Sequence, residues 1–155
     1  MARTPPKSWG LQLDIFSSEK RSAIMSSIHG RDTKPELLVR RFLHSRGLRF
    51  RLHAKTLPGC PDLVFPGRRV AVFVHGCFWH GHEGCRKARL PATREEFWRR
   101  KIGRNRDRDA EVRAALESMG WRVLEVWTCE TNLNRLECLY KDIWSSPTAH
   151  IRKKI

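Results

Sequence analysis

The segment that most constrains the fold is an apolar run near the middle of the chain, Val70–Val74. Every residue in this run is apolar, which is the pattern of a strand covered on both faces rather than on one. Another apolar stretch, in PDLVF, comes just before it, and the turn signal Pro66-Gly67 separates the two. We therefore predict two neighbouring strands, of which the second is central in a sheet.

The segments before this strand pair predict helices and one further strand. SSEKRSAIMSSIHGRD is compatible with a short helix, and TKPELLVRRFLHSRG predicts a clearer one between the N-cap Thr33 and Gly47. Apolar and basic residues then alternate over 48–53, which is the pattern of a half-buried strand. Residues 1–17 contain prolines and show no periodicity, so we expect a flexible N-terminal arm there.

The segments after the strand pair predict helix, strand and helix. In TREEFW, Thr93 and Glu96 have the spacing of a capping box, and Gly103 is a candidate break in the helix that follows. WRVLEVW predicts another strand, and LNRLECLYKDIW predicts a last helix. The order α-β-β-β-α-β-α predicts one α/β domain over 18–145, a mixed sheet flanked by helices, followed by a basic tail over 146–155.

Charge gives the first indication of a partner. The 155-residue chain has 31 Lys+Arg against 16 Asp+Glu, a formal net charge of +15. Such a surplus predicts a polyanionic partner, and nucleic acid is favoured over a membrane because no apolar run approaches the ~18 residues that span a bilayer. A basic assembly protein of a ribonucleoprotein would explain the charge but not the cysteines and histidines. Without an apolar signal core at the N-terminus, we expect a cytoplasmic protein with reduced cysteines.

Metal-ligating residue types are concentrated in HGCFWHGHEGC, residues 75–85. Cys77, His82 and Cys85 are soft ligands in one short loop, and Cys129 lies at the end of a later strand. Together they would form a Cys3His set, which is common in closed tetrahedral zinc sites. Because four protein ligands leave no open position, the pattern predicts a structural zinc ion.

Other residues compete for roles in and around this loop. Spacing alone does not choose the fourth ligand, since Cys60 lies beside a turn and Cys138 lies on the predicted apolar face of the last helix. His75 and His80 are outside the Cys3His set and are candidates for proton transfer. The neighbouring pair Phe78-Trp79 consists either of exposed rings that insert between base pairs or of ordinary core residues.

A carboxylate in GCPDLVF is the candidate ligand for a hard cation. Asp62 precedes a strand, where it would hold Mg2+ together with a second acidic residue. Restriction-enzyme-like nucleases usually carry that residue and a lysine on the next strand, but 63–82 contain no carboxylate. Glu36 and Asp109 are possible substitutes from the flanking helices. Glu36 also fits the capping box of Thr33, and Asp109 also fits a solvated charge paired with neighbouring arginines.

Four segments resemble a known family. LPGCPDLVF, VFVHGCFWHGH, LPATREEFWRRKIGRNRDRD and GWRVLEVWTCE have the order and spacing found in the very short patch repair (Vsr) DNA mismatch endonucleases. The resemblance runs from about residue 18 to 130. It implies a restriction-endonuclease-like fold with a structural zinc, and Mg2+-dependent nicking of double-stranded DNA 5′ of the thymine in a T·G mismatch. It also implies a monomer that repairs deaminated 5-methylcytosine, linked to a cytosine-5 DNA methyltransferase and downstream repair proteins.

The resemblance also implies roles for individual residues. It puts the catalytic aspartate at Asp62 and the catalytic histidine at His80, and it gives Asp62 and the main-chain carbonyl of Val74 as magnesium ligands. The residues that hold the water shell of the magnesium ions correspond to Glu36, His75 and Asp109. The zinc ligands correspond to Cys77, His82, Cys85 and Cys129. The aromatic residues that wedge into the base stack beside the mismatch correspond to Phe78, Trp79 and Trp98.

Two positions depart from the family pattern. Glu83 and Gly84 separate the zinc histidine from Cys85, where the family has one residue, and Val74 stands where one member of the family has a threonine. Basic residues on the following helix are expected to contact phosphates, namely Arg99, Arg100, Lys101 and Arg104. The alternative to an enzyme is a zinc-stabilised DNA-binding module without catalysis, which would need neither Mg2+ nor a catalytic histidine.

Overall fold

The computed structural model describes residues 31–145, together with Ser17, Glu19 and Lys20. The chain divides into two compact units, Met1–Gly30 and Arg31–Ile155. In the first unit, the backbone amide of Lys20 donates a hydrogen bond to the side chain of Ser17 (3.2 Å). The predicted arm, most of the helix predicted over 17–32 and the basic tail lie outside the described residues.

The described part of the second unit has the predicted order α-β-β-β-α-β-α. Its elements are α1 (Lys34–Ser45), β1 (Arg51–Leu52), β2 (Leu63–Phe65), β3 (Val70–His75), α2 (Glu95–Ser118), β4 (Arg122–Trp127) and α3 (Leu133–Trp144). A short 3-10 turn, Pro66–Arg68, joins β2 to β3, as the Pro-Gly signal predicted. The mixed α/β class is therefore confirmed.

The sheet has the order β1-β2-β3-β4. β1, β2 and β3 are antiparallel neighbours, whereas β3 and β4 are parallel. β3 is an inner strand and almost every residue in it is buried, which confirms the prediction from Val70–Val74. A parallel neighbour requires a crossover connection, and α2 is the helix of that crossover.

Helices cover both faces of the sheet. Val70 and Val72 belong to a core cluster with Val39 of α1 and Leu139 of α3. Ala71 belongs to a second cluster with residues of α2 and β4, such as Leu116 and Val123. Because side chains alternate along a strand, the odd-numbered residues of β3 face α2. His75, the last residue of β3, therefore points to the face that α2 covers.

The strand predicted over 48–53 is shorter and more exposed than expected. Only Arg51–Leu52 pair with β2, and Leu52 is 45% exposed. Leu48 is buried, but it follows the end of α1 and packs into the core from outside the sheet. β1 is an edge strand, and short edge strands limit the backbone that is open to pairing with other chains.

Two predictions about α2 are wrong. The helix begins at Glu95 after Arg94, which has φ 57 and makes no capping hydrogen bond, so Thr93 and Glu96 form no capping box. Gly103 does not break the helix, because neighbouring Ile102 is buried and keeps that stretch of α2 in the fold. By contrast, Thr33 caps α1 as predicted. No helix in the described residues has both the length and the apolar character needed to cross a membrane.

Candidate active site and metal centre

The parallel strands β3 and β4 end side by side, and this sets the position of the site. Their register pairs His75 with Trp127 at the last position of both strands. The amide of Thr128 extends the pairing by donating to the carbonyl of His75 (3.0 Å). The loop after β3 and the turn after β4 consequently start next to each other. This is how Cys129 reaches a loop that lies far from it in sequence.

The four candidate zinc ligands form one group. The ligand atoms of Cys77, His82, Cys85 and Cys129 all lie within 4.8 Å of one another, and Cys129 Sγ is 3.3 Å from His82 Nδ1. Three thiols and an imidazole are the donors that zinc prefers in a closed site, so the group fits that ion. Cys60 is not in the group. Cys138 is exposed on α3, so its predicted place on the apolar face is wrong.

The extra residue before Cys85 is absorbed by a turn. Gly84 has φ +69, a conformation that side chains rarely adopt, and a Cβ there would meet nothing within 4 Å. The amide of Cys85 donates back to the carbonyl of His82 (3.4 Å), which closes the turn. Cys85 therefore stays in the group despite the added residue.

The environment of the thiols favours metal binding. Burial alone would raise the pKa of Cys77, but hydrogen bonds with Thr128, His82 and Cys129 outweigh it and lower the pKa to about 6. Burial and the neighbouring thiols Cys77 and Cys85 raise the pKa of Cys129 to about 12. At least one thiol thus ionises readily, and the thiolate is the form that binds metal.

Two residues that the sequence analysis missed orient His82. Trp127 stacks on its ring, with centroids 4.2 Å apart and an angle of 1°. Glu130 lies on the far side from the thiols, with its carboxylate 3.8 Å from His82 Nε2. A carboxylate next to the free nitrogen fixes the tautomer and orientation of a metal-bound histidine. Their position at the end of β4 and in the turn after it, next to Cys129, was the available signal.

A second group joins β3 to α2. His75 and His80 stack with centroids 4.0 Å apart and ring planes 3° from parallel. His80 Nδ1 is hydrogen-bonded to Asp109 Oδ2, so the structure brings these three predicted residues together. The ligand atoms of His75, His80 and Asp109 all lie within 4.8 Å of one another, so this group could also hold a metal ion. Asp109 also lies 3.9 Å from Arg108, the arginine neighbour expected from the sequence.

The protonation of this group follows from its surroundings. Burial, and next the adjacent His80, lower the pKa of His75 to about 4, so His75 is neutral at physiological pH. The bond to Asp109 assigns the ring proton of neutral His80 to Nδ1, which leaves Nε2 to accept or donate a proton. Both histidines line a cleft of about 430 Å³, which also includes the ion pairs Arg106–Glu83 and Arg113–Glu125.

Asp62 lies against the same end of β3. Its Oδ2 accepts a hydrogen bond from the backbone amide of Val74 (2.8 Å). Burial raises the pKa of the Asp62 carboxyl, and the bond from Val74 opposes that rise. The carboxylate therefore contacts the main chain at the residue immediately before His75.

Glu36 lies near Asp62 and not with the other two expected water-shell residues. Its carboxylate accepts bonds from the hydroxyl of Thr33 (2.8 Å), the amide of Asp32 (3.0 Å) and Arg40 Nη2 (3.0 Å). The amide of Glu36 donates to the Thr33 hydroxyl (3.5 Å), which is the N-cap half of the predicted capping box, whereas the Glu36 carboxylate reaches the amide of Asp32 rather than that of Thr33. The sequence analysis missed Arg40, and its spacing of four residues from Glu36 on one helix was the available signal.

The predicted wedge residues form an aromatic cluster. Phe78, Trp79 and Trp98 make edge-to-face contacts, with centroids 5.1–6.0 Å apart. They are half-buried, so the prediction of two exposed rings is only partly right: each ring is covered by its neighbours. Lys101 Nζ lies 5.5 Å from Trp79 and 5.9 Å from Trp98, within cation–π range.

The other predicted phosphate contacts are on the surface of α2. Arg99 and Arg100 are each 68% exposed and pair with Glu95 and Glu96 one turn earlier. Arg104 is also exposed. Exposed ion pairs of this kind contribute little and exchange easily, so these arginines remain available to a phosphate backbone.

A basic surface, the His80–Asp109 pair and the part-buried Asp62 carboxylate at one strand end are groups that an enzyme hydrolysing nucleic acid would use. Comparison with known proteins gives the family. A family model described as DNA mismatch endonuclease Vsr matches residues 13–87. The chain belongs to the Vsr family of DNA mismatch endonucleases, as the sequence resemblance implied, and it is a DNA endonuclease.

Several relatives match most of the chain. Type II nicking enzyme V.XorIIP of Xanthomonas oryzae pv. oryzae is 52% identical over 131 residues, which are 84% of this chain and 96% of the relative. Type II nicking enzyme V.NmeAIP of Neisseria meningitidis is 43% identical over 83% of this chain and 97% of the relative. DNA mismatch endonuclease Vsr of Escherichia coli is 45% identical over 75% of this chain and 74% of the relative. These names favour the enzyme over the non-catalytic module.

Proposed function

We propose that this endonuclease nicks one strand of double-stranded DNA on the 5′ side of the thymine in a T·G mismatch. The reaction is magnesium-dependent hydrolysis, and its role is very short patch repair of deaminated 5-methylcytosine. One observation carries the proposal: the end of β3 bonds Asp62 through Val74, while the next residue, His75, stacks on His80. A part-buried carboxylate and a histidine oriented by Asp109 thus share one strand end.

The chain offers oxygen donors that fit magnesium. The Asp62 carboxylate and the main-chain carbonyl of Val74 would hold the ion, with water molecules bound by Glu36, His75 and Asp109. These are hard oxygen and water-mediated contacts of the kind magnesium takes. When bound, the ion neutralises the negative charge of the scissile phosphate and of the leaving oxygen.

The histidines then manage the proton. Asp109 holds the Nδ1 proton of His80, so Nε2 is the nitrogen that takes a proton from the attacking water. Stacking on His75 restricts rotation of the His80 ring. His75 stays neutral because burial lowers its pKa to about 4, and therefore it adds no positive charge that would repel a metal ion.

The Cys/His group and the aromatic cluster serve recognition. Zinc bound by Cys77, His82, Cys85 and Cys129 would fix the loop that carries Phe78 and Trp79. Insertion of these rings and Trp98 unstacks the mismatch, at a cost of a few kcal/mol that is lower for a weak pair such as T·G. Arg99, Arg100, Lys101 and Arg104 contact phosphates and give affinity without sequence preference.

The remaining parts of the proposal concern organisation. Residues 18–145 form the endonuclease domain, with a restriction-endonuclease-like sheet, an N-terminal arm over 1–17 and a basic tail over 146–155. One active site cuts one strand, so the enzyme acts as a monomer. Its substrate arises where a cytosine-5 DNA methyltransferase has acted, and downstream repair proteins take over the nick.

The test uses zinc-loaded protein and three duplexes of equal length that carry T·G, C·G or T·A at one position, with each strand labelled separately. Magnesium is omitted by dialysis rather than removed with a strong chelator, so that zinc content stays constant and is measured. We expect one nick, 5′ of the thymine, in the T·G duplex and only when magnesium is present. Stable binding without a nick would favour the zinc-stabilised DNA-binding module, and equal cutting of the C·G duplex would contradict mismatch recognition.

A further inference from the structure

An ion network centred on a buried arginine lies beside Asp62, and apart from Glu36 its members have no role in the reaction as described so far. Its centre is Arg40 on α1, which is only 8% exposed. The guanidinium contacts Asp32 through Nη1. Through Nη2 it contacts Glu36 Oε2 and His53 Nε2, both at 3.0 Å. We call Asp32, Glu36, Arg40 and His53 the Arg40 network.

The network is joined to Asp62 through the main chain. The amide of His53 donates to the carbonyl oxygen of Asp62 (3.4 Å), so the Arg40–His53 contact leads to the residue that carries the part-buried carboxylate. The electrostatic effects agree with this proximity. Glu36 raises the pKa of the Asp62 carboxyl, whereas His53 and Arg40 lower it, after the larger effects of burial and of the Val74 bond.

The guanidinium is suited to fixing this arrangement. Its planar fork spans partners on different parts of the chain: Glu36 on α1, Asp32 before it, and His53 just after β1. Asp32 has φ 56 and His53 has φ 45, so both flanking residues hold a backbone conformation that is uncommon outside glycine. Contacts with Arg40 on both sides help to maintain these two turns.

One donor of Arg40 is not used by the described fold. Nε is buried and has no hydrogen-bond partner among the residues that the structure describes. Buried donors in native proteins are nearly always paired with protein or ordered water. The contacts of Arg40 that the structure describes are made by Nη1 and Nη2, which bond Asp32, Glu36 and His53.

We propose that Arg40 is a positioning residue for the metal-binding edge: its guanidinium holds the Glu36 carboxylate and the turn at His53 in a fixed relation to Asp62. Both carboxylates then meet a divalent cation and its water molecules in one geometry. The inference rests on the proposed function, which assigns Asp62 to the cation and Glu36 to its water shell. Arg40 itself touches neither the substrate nor the ion.

The test measures Mn2+ binding to the full, zinc-loaded chain without DNA, by calorimetry or electron paramagnetic resonance. Mn2+ takes the same carboxylate and water ligands as Mg2+ and gives a direct signal. The Asp62→Asn variant supplies the background from any other manganese site. We compare Arg40→Met and Arg40→Lys with Arg46→Met. Arg46 is an exposed arginine at the end of α1 that pairs with Glu137 on α3.

For Arg40→Met we expect ~10-fold weaker Mn2+ binding and a similar loss of kcat, the lower end of what supporting residues around metal sites contribute. KM for mismatched duplex should not change. Arg40→Lys keeps the charge but not the fork, so its Mn2+ affinity should fall as well. Arg46→Met should match the wild type. Unchanged Mn2+ affinity in Arg40→Met would overturn the inference, and full rescue by Arg40→Lys would overturn the role of the fork.

Two further measurements keep the outcome interpretable. If Arg40→Met does not fold, Asp32→Asn replaces it: this carboxylate side chain is 64% exposed, and its loss removes one partner of Arg40 without burying an unpaired charge. A fewfold drop in Mn2+ affinity is expected, and no change would contradict the inference. Wild-type protein that binds Mn2+ through Asp62 but does not nick T·G duplex would defeat the proposed function alone, since the manganese comparison would still stand.

Discussion

The two candidate metal sites are built in opposite ways. The Cys/His group consists of Cys77, His82, Cys85 and Cys129. The Asp62 edge consists of Asp62, Glu36 and the end of β3 at Val74. Three of the four soft ligands come from one loop, Cys77 to Cys85, and the fourth follows the neighbouring strand. The Asp62 edge takes Glu36 from α1 and the Val74 amide from β3, and it depends on contacts made by Arg40 and His53. The first site is local and defined by its ligands, whereas the second is assembled by the fold.

This difference explains what could be read from the sequence. Cysteine is scarce in the chain, so a short loop with two cysteines and a nearby histidine predicts its own chemistry. Carboxylates and arginines are numerous, and a chain with 31 Lys+Arg gives no signal as to which arginine is buried. The Cys/His group can therefore be predicted from the sequence pattern, whereas the Asp62 edge can be recognised only in the tertiary structure.

The first prediction concerns the Cys/His group. Cys129→Ser should lose zinc and destabilise the domain strongly, because structural zinc contributes an apparent ~10–16 kcal/mol in small metal domains. Thermal unfolding and metal analysis measure the two effects. The matched control is Cys138→Ser, an exposed cysteine on α3 that should keep zinc and wild-type stability. A Cys129→Ser protein that retains one zinc ion per chain would exclude that residue as a ligand.

The second prediction concerns the Asp62 edge. Asp62→Asn should reduce nicking of T·G duplex about 10³-fold, since a metal contributes several kcal/mol to charge stabilisation in the transition state. Zinc content and the thermal unfolding midpoint should stay near wild type, which separates the two sites. Asp107→Asn, an exposed change on α2, is the control. Loss of zinc together with activity would show that the two sites are not independent.

The third prediction concerns the group formed by His75, His80 and Asp109. His80→Ala should slow nicking about 10²-fold, the lower end of the range for general acid–base catalysis, with little change in DNA affinity. Single-turnover rates and binding titrations separate the two quantities, and His44→Ala, an exposed histidine on α1, is the control. A nicking rate equal to wild type would remove His80 from the proposed mechanism.

The sequence predicted the central strand, the order of elements, the Thr33 cap and the residues that meet at the strand ends. It failed where packing decides the outcome. Gly103 stays helical because of the buried residue beside it, and Phe78 and Trp79 are half-buried because they cover each other and Trp98. Arg40 was missed because an Arg one turn after a Glu is equally common on solvated helices.

The fourth prediction concerns the aromatic cluster of Phe78, Trp79 and Trp98. Trp79→Ala should lower the preference for T·G over C·G duplex about 10-fold, because the ring inserts more cheaply at a weak pair. Affinity for matched duplex should change less, since phosphate contacts dominate it. Trp144→Ala, an exposed tryptophan on α3, is the control. Equal loss on both duplexes would contradict the wedge.

The prediction with the smallest expected effect tests whether zinc binding by the Cys/His group depends on residues other than its four ligands. Glu130 lies 3.8 Å from His82 Nε2 and is itself 3.7 Å from Arg135, so it is a counterpart to the Arg40 network. Glu130→Gln should weaken zinc binding ~10-fold in competition with a chromogenic chelator, as residues supporting metal ligands commonly do. Nicking at saturating zinc should be unchanged. Unaltered zinc affinity would mean that the four ligands suffice alone, and the contrast with Asp62 would become sharper.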